Sequence, residues 1–388
     1  MLTLRPLFCL LFVVIGIVAI PRAGAAVMQE KVNTGCQRCK FTGTLPCPKH
    51  TKAAIKMEAE SIFCSIAARC EQCKGLFKID CKDCKDNDGE ASLETQAADA
   101  QRWIEKQQVF EKNMGGLARG RVITKRFDMT FEVEHLTIGM RQVEQHELLH
   151  LYASRMESLL ADFNDVLGTK DFDHKCQRYL VMVWKNFLDN KEAAGRYADS
   201  GGAGSGVKLL GHRGVYTTWR DKGTMPQDDD LHRNLVHNVT HLLLADLFDG
   251  IWIGNRKAGW LDEGLAHWFE EKYFGICTNF CYQEQNTNFD FKGGKWKQPV
   301  RTLAENGKMP PFSETGDKMS DQLTTQEHAL AFSYVDFLIA RDAKLIPKMV
   351  QLYQKKKATR EALEPFGLSM LEFEKEWKKW VLATYSKR

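Results

Sequence analysis

Cysteines crowd the amino-terminal part of this 388-residue chain, and their spacing repeats. The unit C-x2-C-x7-C-x2-H is followed 34 residues later by C-x2-C-x7-C-x2-C. The first unit supplies Cys36, Cys39, Cys47 and His50, and the second supplies Cys70, Cys73, Cys81 and Cys84. Recurrence at a fixed spacing predicts an internal duplication. Each unit offers four soft ligands, which suits tetrahedral zinc, so we expect two closed, structural zinc sites in a module over residues 31–86.

Disulfide bonds are the alternative for these cysteines, because an exported protein could form them. The histidine at position 50 favours zinc, since it stands at a ligand position and cannot join a disulfide. Both interpretations remain open from the sequence. The loops "CKFTGTLPC" and "CKGLFKIDC" loosely resemble the cysteine-rich repeats of DnaJ-type chaperones. That resemblance implies a module that binds protein or stabilises the chain.

The first residues, "MLTLRPLFCLLFVVIGIVAIPRAGAA", combine an early arginine, an apolar run and small residues. This pattern is typical of a secretory signal peptide over residues 1–25. The apolar run from Leu7 to Ile20 is short for a spanning helix, so an uncleaved anchor is the less favoured interpretation. We therefore expect a secreted or periplasmic protein without stable membrane insertion. The net charge of +4 gives no case for a nucleic-acid partner.

The remaining chain predicts an α+β fold in which strands come before helices. Residues 87–122 indicate a linker helix, and residues 123–388 a larger domain that is helical from about residue 290. In that domain "RFDMTFEVEHLTIGM", "RYLVMVW" and "GSGVKLLGHRGVYTTWRD" predict strands. Two helices that carry conspicuous polar motifs follow them.

These two helices carry the segments "LVHNVTHLLL" and "GWLDEGLAHW". His237 and His241 lie four residues apart, and Glu263 in the second segment lies near the start of a predicted helix. The pair of segments resembles the gluzincin metallopeptidases, among them the exported peptidase MA-like proteins, in which an H-E-x-x-H helix is followed by a glutamate helix. The resemblance implies a zincin-like domain with a mixed sheet, in which His237, His241 and Glu263 bind one zinc ion.

The sequence departs from that family at Asn238, which stands where the family has its catalytic glutamate. An amide cannot accept a proton from water near neutral pH, and general acid–base catalysis is worth about 10²–10⁴-fold. His328 is a weak candidate for the family's other catalytic group. We therefore expect an impaired peptidase centre in a protein that binds peptide or protein. The alternative is an active zinc peptidase that takes a base from elsewhere, such as Asp262 or Glu144.

A complete H-E-x-x-H also occurs at His146, Glu147 and His150. It lacks a recognisable third ligand, and a bare motif of this kind is a weak signal. The favoured interpretation is that His146 flanks an apolar helix face while Glu147 and His150 point to solvent. The alternative is that this motif forms the active peptidase site. Cys64, between the two cysteine units, has no obvious partner, and Cys277 and Cys281 form either a local disulfide or apolar contacts.

Overall fold

The computed structural model describes residues 36–40, 42–58, 60–83, 90–117, 120–198, 206–221, 223–280 and 292–387. The expected signal peptide, Cys84 and Cys281 lie outside these ranges. Within them, every helix is too short or too polar to span a bilayer.

In the described part of the chain, ten strands form one large sheet and two small ones. They are β1 Thr44–Pro46, β2 Phe63–Cys64, β3 Lys78–Asp80, β4 Gly120–Ile123, β5 Phe127–Phe131, β6 His135–Ile138, β7 Arg141–Glu144, β8 Tyr179–Trp184, β9 Gly206–Leu209 and β10 Val215–Trp219. The large sheet has the order β2-β4-β5-β8-β10-β9. Strand β8 is parallel to both neighbours and the outer pairs are antiparallel, so the sheet is mixed. The central strand β8 is apolar throughout because both of its faces are covered.

Helices cover the sheet and make up the carboxy-terminal part. They are α1 Lys52–Glu58, α2 Ser65–Ala68, α3 Glu90–Asn113, α4 Gln145–Leu167, α5 Phe187–Tyr197, α6 Asp228–Asp246, α7 Gly259–Phe274, α8 Lys297–Asn306, α9 Phe312–Thr315, α10 Thr325–Asp342, α11 Ile346–Gln354, α12 Thr359–Ala362 and α13 Met370–Thr384. The expected α+β class, mixed sheet and helical carboxy-terminal region are confirmed. The segment expected as one strand from "RFDMTFEVEHLTIGM" divides into β5 and β6, and β6 forms a separate hairpin with β7.

The segment between the two cysteine units belongs to the large sheet. Strand β2 pairs with β4, so it forms one edge of that sheet. Helix α3, expected as a linker, packs beside it: Trp103 stacks on Phe63 at 5.9 Å, and Gln107 accepts a hydrogen bond from Arg121. The cysteine units are therefore attached to the larger domain through shared sheet and helix contacts.

Helix α7 packs against both α6 and α10, and all three helices contribute residues to the main apolar core. Helix α6 opens with three consecutive acids, which favour the positive end of a helix dipole. Helix α7 is buried along most of its length, and Gly264 permits its close approach to α10. A Cβ atom at Gly264 would lie only 2.4 Å from the carbonyl oxygen of Ala331. This approach brings the polar residues of the two helices together inside an apolar core.

Candidate metal centres

Three side chains expected to bind zinc converge where α6 meets α7. His237 and His241 lie one turn apart on α6, so their rings share a face. Their Nε2 atoms are 3.3 Å apart. Glu263 Oε2 lies 3.8 Å from His237 Nε2 and 3.5 Å from His241 Nε2. All three residues are at most 1% exposed.

These separations fit a tetrahedral ion. Zinc bound to nitrogen or oxygen at about 2.0–2.1 Å places neighbouring ligand atoms about 3.3 Å apart. The three atoms therefore need little movement to share one ion, and two imidazoles with one carboxylate are a ligand set that zinc accepts. The geometry makes this cluster a candidate metal centre.

A carboxylate lies behind each of the two histidines. Asp262 Oδ1 is 3.0 Å from His241 Nδ1, and Glu270 Oε2 is 3.3 Å from His237 Nδ1. Asp262 is itself held, because its Oδ2 accepts hydrogen bonds from Trp252 and Ser320. A carboxylate bonded to the far ring nitrogen, as Asp262 is to His241, is a regular feature of histidine metal sites, since it turns the Nε2 lone pair toward the ion.

Burial and the neighbouring charges shift the pKa values of the two histidines in opposite directions. Burial would lower the pKa of His241, but the charge of Asp262 outweighs it and raises the pKa to about 9. Burial lowers the pKa of His237 to about 3, which keeps that imidazole neutral. Burial opposes ionisation of Glu263, yet the charge of His241 holds its pKa well below the ordinary range.

Two further histidines complete the cluster. His267 lies one turn after Glu263 on α7, with its Nε2 4.0 Å from Glu263 Oε2. His328 on α10 places its Nδ1 3.7 Å from the same oxygen and 3.0 Å from His267 Nε2. Both residues are fully buried. His328, a weak candidate from the sequence, thus lies at the centre, and four histidine nitrogens surround one carboxylate oxygen.

The candidate bases lie elsewhere or are already bonded. Asn238 donates from its Nδ2 to the carbonyl oxygen of Asn234, one turn back on its own helix, at 2.8 Å. Asp262 supports His241 from behind, as described above. Glu144 precedes α4 and accepts a hydrogen bond from Gln142 on the exposed β6–β7 hairpin.

The cysteine units form two clusters, each built from both units. One cluster contains Cys47 and His50 from the first unit with Cys70 and Cys73 from the second. The other contains Cys36 and Cys39 with Cys81, and the fourth expected ligand, Cys84, lies outside the described residues. This grouping corrects the expectation of one site within each unit.

The pairing of β1 with β3 explains why each cluster combines residues from both cysteine units. The strands are antiparallel, with Leu45 opposite Ile79, its counterpart 34 residues later. Backbone bonds repeat the same symmetry: Cys47 N donates to Phe77 O, and Cys81 N donates to Gly43 O. An antiparallel pair related by a local twofold axis places the start of each unit beside the end of the other, so ligands from both units meet.

Distances within these clusters exceed those of disulfides. Cys36 Sγ and Cys81 Sγ are 3.6 Å apart, against about 2.05 Å for a disulfide and about 3.8 Å for two sulfurs bound to one zinc ion. His50 Nε2 lies 3.2 Å from Cys73 Sγ. Burial would raise the pKa of Cys70, but hydrogen bonds from the backbone of Cys73 and Gln72 and from His50 lower it to about 6. That favours the thiolate, the form that binds metal, at Cys70, whereas burial raises the pKa of Cys73.

The second H-E-x-x-H motif is part of another cluster. Glu58 Oε1 lies 2.5 Å from His146 Nε2 and 2.8 Å from His150 Nε2. His150 is only 6% exposed, so the expectation that it points to solvent is wrong. Glu147 does face outward, where Arg141 donates two hydrogen bonds to its carboxylate.

Sequence reasoning missed several residues of these clusters. His267 and Glu270 follow Glu263 by four and seven positions, a helical spacing that places all three on one side of α7. That spacing was the available signal. No comparable signal pointed to Glu58, because its partners lie 88 and 92 residues away along the chain. No family model matches this chain, and no curated protein matches it significantly.

Proposed function

We propose that this is an exported, zinc-binding protein of gluzincin-like architecture that does not hydrolyse peptides and acts by binding a peptide or protein. His237, His241 and Glu263 would hold the ion. The resemblance of the two helical segments supports this assignment, as do the separations of 3.3–3.8 Å between the three ligand atoms. Zinc in a centre of this kind with an open position would polarise water or a carbonyl group.

The observation that carries the loss of activity is the position of His267 and His328. Catalytic zinc sites keep one position open for water or substrate, whereas structural sites are closed by protein ligands. Here His328 Nδ1 and His267 Nε2 lie 3.7 and 4.0 Å from Glu263 Oε2, on a cluster that is closed to solvent. Asn238, whose amide is bonded to its own helix, offers no base in compensation.

The alternative of a peptidase built on His146, Glu147 and His150 has less support. A catalytic glutamate must reach the ion-bound water beside its neighbouring histidines. Glu147 instead forms an exposed ion pair with Arg141, which lowers the pKa of its carboxyl. His146 and His150 turn the other way, toward Glu58.

Zinc analysis combined with a peptidase assay tests the proposal. The full chain and the variants His237→Gln and Glu147→Gln are compared by native mass spectrometry and by incubation with a peptide library. We expect His237→Gln to contain one zinc ion fewer than wild type, and none of the three proteins to cleave peptides. If the wild type cleaves peptides and His237→Gln does not, the proposed absence of peptidase activity is wrong. Cleavage abolished by Glu147→Gln would select the other motif.

A further inference from the structure

Two sequence features to which no role has been assigned lie close together in the fold. Cys64, between the cysteine units, has no partner in either unit, and the histidines of the second H-E-x-x-H lack a third ligand in sequence. The structure places Cys64, His146 and His150 beside Glu58, with the four ligand atoms all within 4.8 Å of one another. Neither the cysteine clusters nor the His237 centre uses any of these residues.

The cluster is buried and internally bonded. Glu58, Cys64 and His150 are 7%, 4% and 6% exposed, and the His146 side chain is 25% exposed. Glu58 Oε1 faces both imidazoles, while its Oε2 accepts a hydrogen bond from Ser61 Oγ at 3.2 Å. Carboxylates are rarely buried unless they are paired or bind a metal, so this one needs cations or an ion beside it.

The donor set matches zinc. One thiolate, two imidazoles and one carboxylate together are borderline-soft ligands, and four of them fill a tetrahedron. Glu58 supplies the carboxylate oxygen of that donor set. Its contacts of 2.5 and 2.8 Å to the rings would open by about 0.5–0.8 Å around an ion, since zinc spaces such atoms about 3.3 Å apart.

We infer that Glu58, Cys64, His146 and His150 form an additional zinc site that fastens the segment between the cysteine units to α4. Glu58 ends α1, Cys64 ends β2, and the two histidines lie in the first turns of α4. With four protein ligands the site is structural. A groove of about 530 Å³, lined in part by Met57, Ser61 and Glu147, borders the site at His150. The inference does not depend on the proposed function of the His237 centre.

The zinc content of the full chain and matched variants tests this site. Native mass spectrometry after dialysis against zinc-buffered solution counts ions per chain. Wild type should carry four zinc ions, and both Cys64→Ala and His146→Gln should carry one fewer. The controls are Glu147→Gln, which changes the neighbouring residue on α4, and Cys176→Ala, which removes another buried thiol. Both controls should keep the wild-type number.

The possible outcomes distinguish a zinc site from a cluster in which Glu58 is only hydrogen-bonded to the two histidines. If Cys64→Ala and His146→Gln both retain the wild-type zinc count, Glu58 merely bonds two histidines and the inference is wrong. If Cys64→Ala loses more than one ion because it misfolds, His146→Gln decides, since that ring is already a quarter exposed. An empty His237 centre would lower every count by one and leave the difference between wild type and variants unchanged.

Discussion

At the scale of single residues, burial and neighbouring charges together determine the charge that a buried histidine carries. His241 has the Asp262 carboxylate behind it, and the pKa of this histidine is raised. His232, on the same helix, instead packs among the rings of Tyr152, Tyr273 and Phe274. Burial, and then the charge of Arg155, lower the pKa of His232 to about 4. The same residue type thus serves as a candidate ligand at one position and as a neutral packing residue at another.

His232 should make the protein less stable in mild acid. An unfolded histidine has a pKa of about 6.5, so the unfolded chain binds more protons than the folded one between about pH 6.5 and pH 4. The free energy of unfolding therefore falls as pH falls through this window. His232→Phe keeps the ring and removes this term. We expect it to retain about 1–2 kcal/mol more of its neutral-pH stability at pH 4.5 than wild type does.

Urea unfolding at pH 7.5 and pH 4.5 measures this difference. The control is His135→Gln, which replaces an exposed histidine on β6 and should follow the pH dependence of wild type. Equal losses of stability in wild type and His232→Phe would show that His232 is protonated without cost in the folded state.

At the scale of elements, periodicity was a good guide for helices and a poorer one for strand pairing. The observed α4, α6 and α7 match the segments that sequence periodicity indicated. The convergence of His237, His241 and Glu263 was implied by the gluzincin resemblance and not by periodicity. Strand β2 has only two residues, too few for any alternation to appear. Its pairing with β4 joins residues about 60 positions apart, a contact that no local pattern encodes. For the same reason, no local pattern indicated the contact of Glu58 with His146 and His150 on α4.

The contact between α7 and α10 provides a test at this scale. A Cβ atom at Gly264 would lie 2.4 Å from Ala331 O and 2.7 Å from Val335 Cγ2. Because the nearest obstacle is helix backbone, Gly264→Ala must push α10 away, and overpacking of this kind costs about 1–3 kcal/mol. His328 lies less than one turn before Ala331, so it should also move away from Glu263.

Urea unfolding and zinc titration of Gly264→Ala measure both consequences. We expect a loss of about 1–3 kcal/mol in the free energy of unfolding, together with weaker zinc binding. The matched control is Gly223→Ala, in an exposed turn, where the added Cβ meets only the Asp221 carboxylate at 3.3 Å. If Gly264→Ala and Gly223→Ala have the same free energy of unfolding, α7 and α10 do not approach as closely as described.

At the scale of the whole molecule, long-range connections run through polar clusters as well as through the apolar core. The His237 centre joins α6, α7 and α10, and the Glu58 cluster joins α1, β2 and α4. The cysteine clusters join two copies of one unit across the β1–β3 pair. Residue types and spacing indicated the candidate ligands of the cysteine units. Their grouping follows from the antiparallel pairing of the two copies, which spacing alone leaves open.

Pairs of cysteine substitutions distinguish ligands shared between units from ligands kept within one. Cys47 and Cys70 come from different units but belong to the same cluster. Cys36 and Cys47 come from the same unit but belong to different clusters. The double variant Cys47→Ser/Cys70→Ser should therefore lose one zinc ion, because both changes affect the same site. Cys36→Ser/Cys47→Ser should lose two. Sites confined to single units would give the reverse result, two ions lost by the first pair and one by the second. Native mass spectrometry of the full chain counts the ions, and the three single variants, each expected to lose one, calibrate the comparison.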